Sequence, residues 1–363
     1  MTPTLTYPEA MFVGLLQGVT ELFPVSSLGH SVLIPAIIGG SWAQDLNVSA
    51  RESPYLAFIV GLHVATAAAL IAFFWRDWVR IVGGLLTSIR YRRVTTANER
   101  LAWMIILATI PVGIAGLALE HLFRVFFSKP VPTALFLCVN GLILLASERR
   151  RTRMAMAGED ATPAPQQHGQ PQYQQEPHRQ APDQQGAYLQ EPHQAPQWHG
   201  QPQQQQWDRD AGAGRAVPAD KAVSIDKAVA ADRRLSAMGY KRAILIGATQ
   251  IAALLPGISR DGIVTVASMR TGLSRQDAVR YSFLLSTPVI LAAGMLKVPD
   301  LFGPLGAGIG GQVLVGSVLA FVGAFVSVRF LTRYFGESKS LRPFGIYCLA
   351  AGLFSLFFIL AFR

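Results

Sequence analysis

The chain has 363 residues, 51% of them hydrophobic and only 15% charged, with a formal net charge of +10 and a mean hydropathy of +0.32. Ordinary soluble domains carry roughly 25% charged residues, and several uncharged runs here approach ~20 residues, so the composition excludes a soluble globular protein and points to several membrane spans. The basic residues cluster between apolar runs, which the positive-inside rule explains without a nucleic-acid partner.

The first Lys or Arg is Arg51. The basic start of a signal peptide is therefore missing, and the first apolar segment is expected to stay in the mature protein. That segment, Glu9–Ile38, is broken by Pro24, which VSS follows. The break predicts two short helices joined by a loop, a re-entrant hairpin over 9–38; the bland alternative is one span kinked at Pro24. Irregular backbone at membrane depth requires cover from protein or a water-filled cavity.

Gly39–Pro54 is polar and reads as a loop. Pro54–Trp75 reads as a span ending in WRDW, aromatics beside charge as at a membrane interface. Arg76–Arg100 reads as a basic loop, Leu101–Leu119 as a span, Glu120–Pro130 as a short loop and Val131–Ala146 as a span before the basic run ERRRTR. The first membrane half is thus 1–148. Residues 149–241 are a different material, with a centre rich in Gln, Pro, His and Gly that cannot bury enough apolar surface to offset its ordering entropy. A disordered, solvated cytoplasmic insert is expected, with a short helix near 217–234. Four of the seven histidines (His168, His178, His193, His199) lie in it, and weak metal binding is the alternative use.

The second half, 242–363, opens with 243–269, broken by LPGISRDG and read as a second re-entrant hairpin. Tyr281–Val298, Gly311–Phe330 and Phe344–Phe362 read as spans. Cys138 and Cys348 fall within apolar runs without metal-ligand spacing, as small core residues do. If every strongly basic segment is cytoplasmic, the two hairpins enter from opposite faces. A weak repeat agrees: LFPVSS matches LLPGIS, and TIPVGIAG resembles STPVILAAG. The expected fold is all-α and integral to the membrane: about six transmembrane helices plus two re-entrant hairpins in an inverted-repeat arrangement.

Polar groups within membrane segments are costly and mark function. Gln17 and Glu21 are spaced i, i+4 and share a helix face. Their oxygens suit Mg²⁺ or Ca²⁺, above all when phosphate oxygens complete the shell. Ser26, Ser27 and His30 bring two hydroxyls and an imidazole to one short loop. They read either as nucleophile and proton relay or, for the serines, as helix caps, which themselves suit an anion. Arg260 needs an anionic partner: a phosphate, or else Asp261 or Glu21. Gly257 and Gly262 allow close backbone approach, so this segment can form an anion-cradling nest with Ser259. His63 reads either as cavity-lining or as packing; Arg275 and Asp277 read as loop and cap residues.

QGVTELFPVSSLGH and LPGISRDG, in that order and both in membrane segments, resemble the (E/Q)xxxE–PVSSxGH and PGxSRSG motifs of the undecaprenyl-diphosphatase family, the bacitracin-resistance type of membrane lipid phosphatase. RTGLSRQDAVRYSFLLSTPV resembles the tail that follows them, and the similarity spans most of 9–147 and 243–361. The resemblance implies hydrolysis of undecaprenyl diphosphate to undecaprenyl phosphate and phosphate, carrier recycling for cell-wall synthesis, bacitracin resistance, and a site open to the outer face of a bacterial plasma membrane. It carries Glu21 and Gln17 over at the motif's acidic or amide positions and Ser27, His30 and Arg260 at its catalytic and phosphate-binding positions; the catalytic set is then Glu21, Ser27, His30 and Arg260, with Gln17, Ser26, Gly257, Ser259, Asp261 and Thr265 read beside it as substrate-binding and Glu21 with Gln17 as ligands of a divalent cation. The chain departs from the pattern at Leu28, Asp261 and Val264, and Asp261 is expected to add metal-binding charge that Gln17 lacks. A transporter or flippase for a polyprenyl phosphate is the alternative function.

Overall fold

The computed structural model describes residues 5–46, 54–122, 129–160, 219–303, 306–337 and 339–362, and all regular structure in them is helical. The first broken pair is α1 (Tyr7–Leu22) and α2 (Ser27–Ile38), followed by the short α3 (Gly40–Asp45). α1 starts at a capping box: Thr6 N–H donates to Glu9 Oε2 at 2.8 Å, and Glu9 N–H donates back to Thr6 Oγ1. It ends because Phe23, ahead of Pro24, is extended. The second pair is α9 (Tyr240–Ala248), a 3₁₀ turn over Thr249–Leu254, and α10 (Arg260–Arg270). Its break turns at Gly257, whose φ of 109° favours glycine and whose Cα lies so near α7 (Pro130–Asp160) that a Cβ would sit 2.5 Å from Thr133 O.

Among the described residues, five helices are long and apolar enough to cross a membrane: α6 (Ala97–Leu122), α7, α11 (Arg275–Phe302), α12 (Gly310–Gly336) and α13 (Arg342–Phe362). A sixth is formed if α4 (Pro54–Phe73) and α5 (Trp75–Tyr91), bent by 88° at Phe74, count as one span. The expectation of a loop over 76–100 is corrected here. α5 is an amphipathic helix, with Val79, Val82, Leu86 and Ile89 exposed on one side and Asp77, Ile81 and Ser88 buried on the other. The loop proper is the turn to α6, where Glu99 accepts from Thr95 N–H at 2.7 Å and Thr96 N–H at 2.9 Å.

The ends of the long insert also differ from a plain linker. α7 runs on to Asp160, and α8 (Ala219–Ser236) forms close to the helix expected near 217–234. Residues 161–218 lie outside the described ones. Asp232 of α8 is buried and pairs with Arg80 of α5 at 3.0 Å and Arg280 of α11 at 2.7 Å. Arg234 holds Asp277 with two hydrogen bonds. Ser274 caps α11 by accepting from Asp277 N–H at 3.0 Å, and Asp277, expected as a loop or cap residue, lies in the first turn. Arg275 is no plain loop residue: it binds Glu148 of α7, whose carboxylate also takes the N–H of Leu341.

Small residues let backbones touch. A Cβ on Gly14 or Gly18 of α1 would meet Gly316 O or Ala320 O of α12 at 2.4 and 2.3 Å. The core between the helices holds Leu22, Phe74, Met104, Leu137, Phe283 and Val328. Cys348 belongs to it, and neither cysteine is bridged.

Candidate active site

The two broken pairs meet at their breaks. Gly257 N–H donates to Ser26 Oγ at 3.1 Å, and Ser259 Oγ donates to Phe23 O at 3.4 Å. Asn140 of α7 joins both: its Nδ2 donates to Pro24 O and its Oδ1 accepts from Ser259 N–H, each at 3.0 Å. Each serine also starts a helix. Ser26 Oγ accepts from Gly29 N–H and Ser259 Oγ from Gly262 N–H, so Ser26 rather than Ser27 caps α2.

This seam sets side chains distant in sequence around one carboxylate. Arg260 Nη2 donates to Glu21 Oε1 at 2.5 Å. Gln17 Nε2 donates to Oε2 at 2.9 Å, Ser27 Oγ donates to the same oxygen, and His63 Nε2 stands 3.8 Å from it. The i, i+4 face of Gln17 and Glu21 is therefore real, and so is the ion pair of Arg260 with Glu21. His63 lines the cavity as well as packing: its Nδ1 donates to Ile59 O at 2.9 Å, and its Nε2 accepts from Gln17 Nε2 at 3.3 Å. Beside the cluster lies a cavity of about 150 Å³ walled by Glu21, Ser27, Leu28, His63, Gln250 and Arg260 among others.

Other expected residues lie around this cluster rather than in it. His30 Nδ1 donates to Ser26 O and its Nε2 meets the Tyr347 hydroxyl, both at 2.7 Å, with the Tyr347 ring stacked on the imidazole. Its ring thus braces the break from behind. Asp261 turns its carboxylate to α11, where Ser282 and Ser286 each donate to Oδ1 at 2.6 Å, and not to the cavity. Thr265 and Val264 are buried on α10 away from it. The backbone nest does not form at Gly257 to Ser259. Those N–H groups are spent on Ser26 Oγ, Leu255 O and Asn140 Oδ1, so the guanidinium is what remains to grip an anion.

Asn140, Tyr347 and Gln250 were not foreseen. Each is one polar group in an apolar run, the signal that singled out Glu21; the partners of Asn140 and Tyr347 lie far off in sequence, while Gln250 bonds, among the described residues, only to the nearby Gly247 O.

The described residues contain no group of three or more His, Cys, Asp or Glu able to hold a metal. One carboxylate with a hydroxyl and an amide is a sparse donor set. It fits a hard divalent cation whose shell is completed by phosphate oxygens, as Mg²⁺ sites commonly are.

A family model described as bacitracin resistance protein BacA matches residues 10–172 and 219–354. The undecaprenyl-diphosphatases of Mycolicibacterium paratuberculosis and Mycobacterium avium are each 53% identical over 358 residues, 98% of either chain. Undecaprenyl-diphosphatase 1 of Frankia casuarinae is 50% identical over 363 aligned positions, 96% of this chain and 97% of its own. This chain belongs to the BacA family of bacitracin resistance proteins.

Proposed function

We propose that this chain is an undecaprenyl-diphosphate phosphatase of the bacterial plasma membrane. It hydrolyses undecaprenyl diphosphate to undecaprenyl phosphate and phosphate, returns the carrier to cell-wall synthesis and confers bacitracin resistance. The observation that carries the reading is the Arg260–Glu21–Ser27 cluster at the seam of two broken helices, in a chain half identical to named undecaprenyl-diphosphatases along nearly its whole length.

Arg260 grips the diphosphate, exchanging one oxygen anion, Glu21, for others; its planar fork suits phosphate oxygens. Water supplies the oxygen that bonds to the terminal phosphorus. The bridging P–O bond breaks with its electron pair on the lipid monophosphate, and the two water protons end on inorganic phosphate and in solvent. Ser27, whose hydroxyl donates to Glu21, either attacks first or holds that water. His30 keeps the Ser26–Ser27 loop in register through Ser26 O. Mg²⁺ or Ca²⁺, held by Glu21 with Gln17 beside it, would offset charge on the phosphoryl oxygens. Positioning and electrostatics supply most of the rate in such transfers.

The same reading makes each broken pair a re-entrant hairpin, the two inverted and entering from opposite faces, with the basic segments inside and the site open to the outer face. Two things support it: the loop charges, and breaks that start α2 and α10 alike with a serine cap. The insert of 149–241 is then a cytoplasmic linker whose last helix is anchored.

The test is phosphate release from undecaprenyl diphosphate by purified protein with Mg²⁺, with Ca²⁺ and with chelator, beside Glu21→Ala and Arg260→Ala. Metal-dependent release by wild type, lost in both variants, is expected. Lipid bound and translocated without release would assign transport instead.

A further inference from the structure

Ser26 is held in a backbone conformation that its residue type disfavours. Its φ is 70°, where a residue with a side chain is strained. Such a residue persists only where its surroundings fix it, and it is commonest at functional sites. Three contacts fix this one. Gly29 N–H and Gly257 N–H donate to Ser26 Oγ at 3.2 and 3.1 Å, and His30 Nδ1 donates to Ser26 O at 2.7 Å. The next residue is Ser27, whose hydroxyl donates to Glu21. The turn at Ser26 therefore sets where that hydroxyl points.

What fixes the imidazole comes from the far end of the chain. Tyr347 of α13 stacks its ring on that of His30, with centroids 5.7 Å apart and planes 7° from parallel, and its hydroxyl meets Nε2 at 2.7 Å. A carbonyl can only accept, so the Ser26 contact puts a hydrogen on Nδ1. In the neutral ring Nε2 then accepts, and the Tyr347 hydroxyl donates to it. Stack and hydrogen bond together hold the tautomer and the plane of the ring. His30 itself is buried and is not among the residues that wall the cavity. Its nitrogens are turned to Ser26 and Tyr347, not to the place where a diphosphate would sit. Tyr347 is 47% exposed, yet its hydroxyl is turned inward onto the imidazole.

We infer that Tyr347 is a positioning residue of the reaction: through His30 it holds the strained turn at Ser26, and through that turn it seats the Ser27 hydroxyl on Glu21. It touches no reacting atom and takes no proton. The role is the same whether Ser27 attacks the diphosphate or holds the water that does. The inference rests on the phosphatase reading.

Tyr347→Phe keeps the stacked ring and removes the hydroxyl. It is expected to lower kcat about tenfold, as for the loss of one hydrogen bond, with KM for undecaprenyl diphosphate changed less than about threefold. His30→Asn is the second variant: it places an amide N–H where Nδ1 was, but nothing in it reaches Tyr347. It too is expected to lose about tenfold in kcat, and adding Tyr347→Phe to it should cost less than about twofold more, because the hydroxyl acts through the imidazole. Thermal melts of all three proteins accompany the kinetics. A Tyr347→Phe enzyme within about twofold of the wild-type kcat overturns the inference, since the ring alone would then suffice. A change confined to KM overturns it too, by making Tyr347 a contact of the lipid. So do losses that multiply in the double variant, which would mean that Tyr347 acts without His30. A His30→Asn enzyme that melts like wild type but releases no phosphate also overturns it, because His30 would then do chemistry rather than brace Ser26; one that melts lower and is silent overturns it by making the pair a matter of folding. No phosphate release from wild type would instead bring down the phosphatase reading, and this inference with it.

Discussion

Asn140 is the residue on which the geometry of the site turns. Its amide binds Pro24 O and Ser259 N–H, one backbone group from each break. Asn140→Leu would leave the buried Ser259 N–H without a partner, at about 1–3 kcal/mol, and Pro24 O with only the weak thiol donor of Cys348. A lower Tm and a kcat reduced by about 100-fold are expected, because a shift of ~1 Å between reacting groups costs that much. Kinetics and a thermal melt on one preparation check it; an unchanged kcat would mean that the two breaks register without α7. Asp261 makes a contrasting case. Its buried carboxylate faces Ser282 and Ser286 on α11 and stands outside the cavity wall, so Asp261→Ser should keep wild-type metal dependence and a rate within about threefold. A changed requirement for Mg²⁺ would show that Asp261 reaches the cavity during turnover. The sequence made Gln17, Glu21 and Arg260 legible because a charge or amide in an apolar run stands out. It hid Asn140 and Tyr347, because their meaning lies in partners brought up by the fold.

At the scale of helices, the breaks were the legible part. Pro24 stops α1 by forcing Phe23 into extended backbone, and Gly257 turns the second break where no Cβ fits. α5 was not legible as a helix because Arg76, Arg80, Arg90 and Asp77 dominate its composition. The signal was there in Val79, Val82, Leu86 and Ile89, apolar at helical spacing. Its right-angled departure from α4 depends on Phe74 being buried at the bend, which is a matter of packing. The glycines of α1 give a sharper test. Gly18→Ala would drive a Cβ to 2.3 Å from Ala320 O, and backbone cannot swing aside as a long side chain can. A destabilisation of about 1–3 kcal/mol is expected, as for overpacking, with activity lost too because α1 carries Gln17 and Glu21. Gly116→Ala on α6 meets nothing within 4 Å and should gain about 0.5–1 kcal/mol from helix propensity. Opposite shifts in Tm for two chemically identical changes would confirm that α1 and α12 touch through backbone.

Across the whole molecule, charge is arranged by pairing as well as by sidedness. Counting loop arginines yields an expected orientation but no contacts. In the fold, Asp77 and Asp232 face Arg80 and Arg280, two carboxylates against two guanidiniums, and the group joins α5, α8 and α11. These residues are far apart in sequence, and Asp232 belongs to a segment whose composition reads as linker. The end of the insert is thus bound to the membrane core, whatever its Gln- and Pro-rich centre does. Two experiments separate anchor from centre. Replacing 164–214 with a Gly/Ser linker of equal length should leave phosphate release within about twofold of wild type, since such linkers add reach but no structure. Asp232→Ala should lower stability by about 3–5 kcal/mol, because it leaves Arg80 and Arg280 sharing the single carboxylate of Asp77 in a largely buried setting. Activity lost in the linker replacement with an unchanged melt would give the Gln/Pro segment a part in catalysis. A melt unmoved by Asp232→Ala would mean that α8 rests on the core by apolar packing through Leu235 and Met238, with the ion pairs adding nothing to its hold.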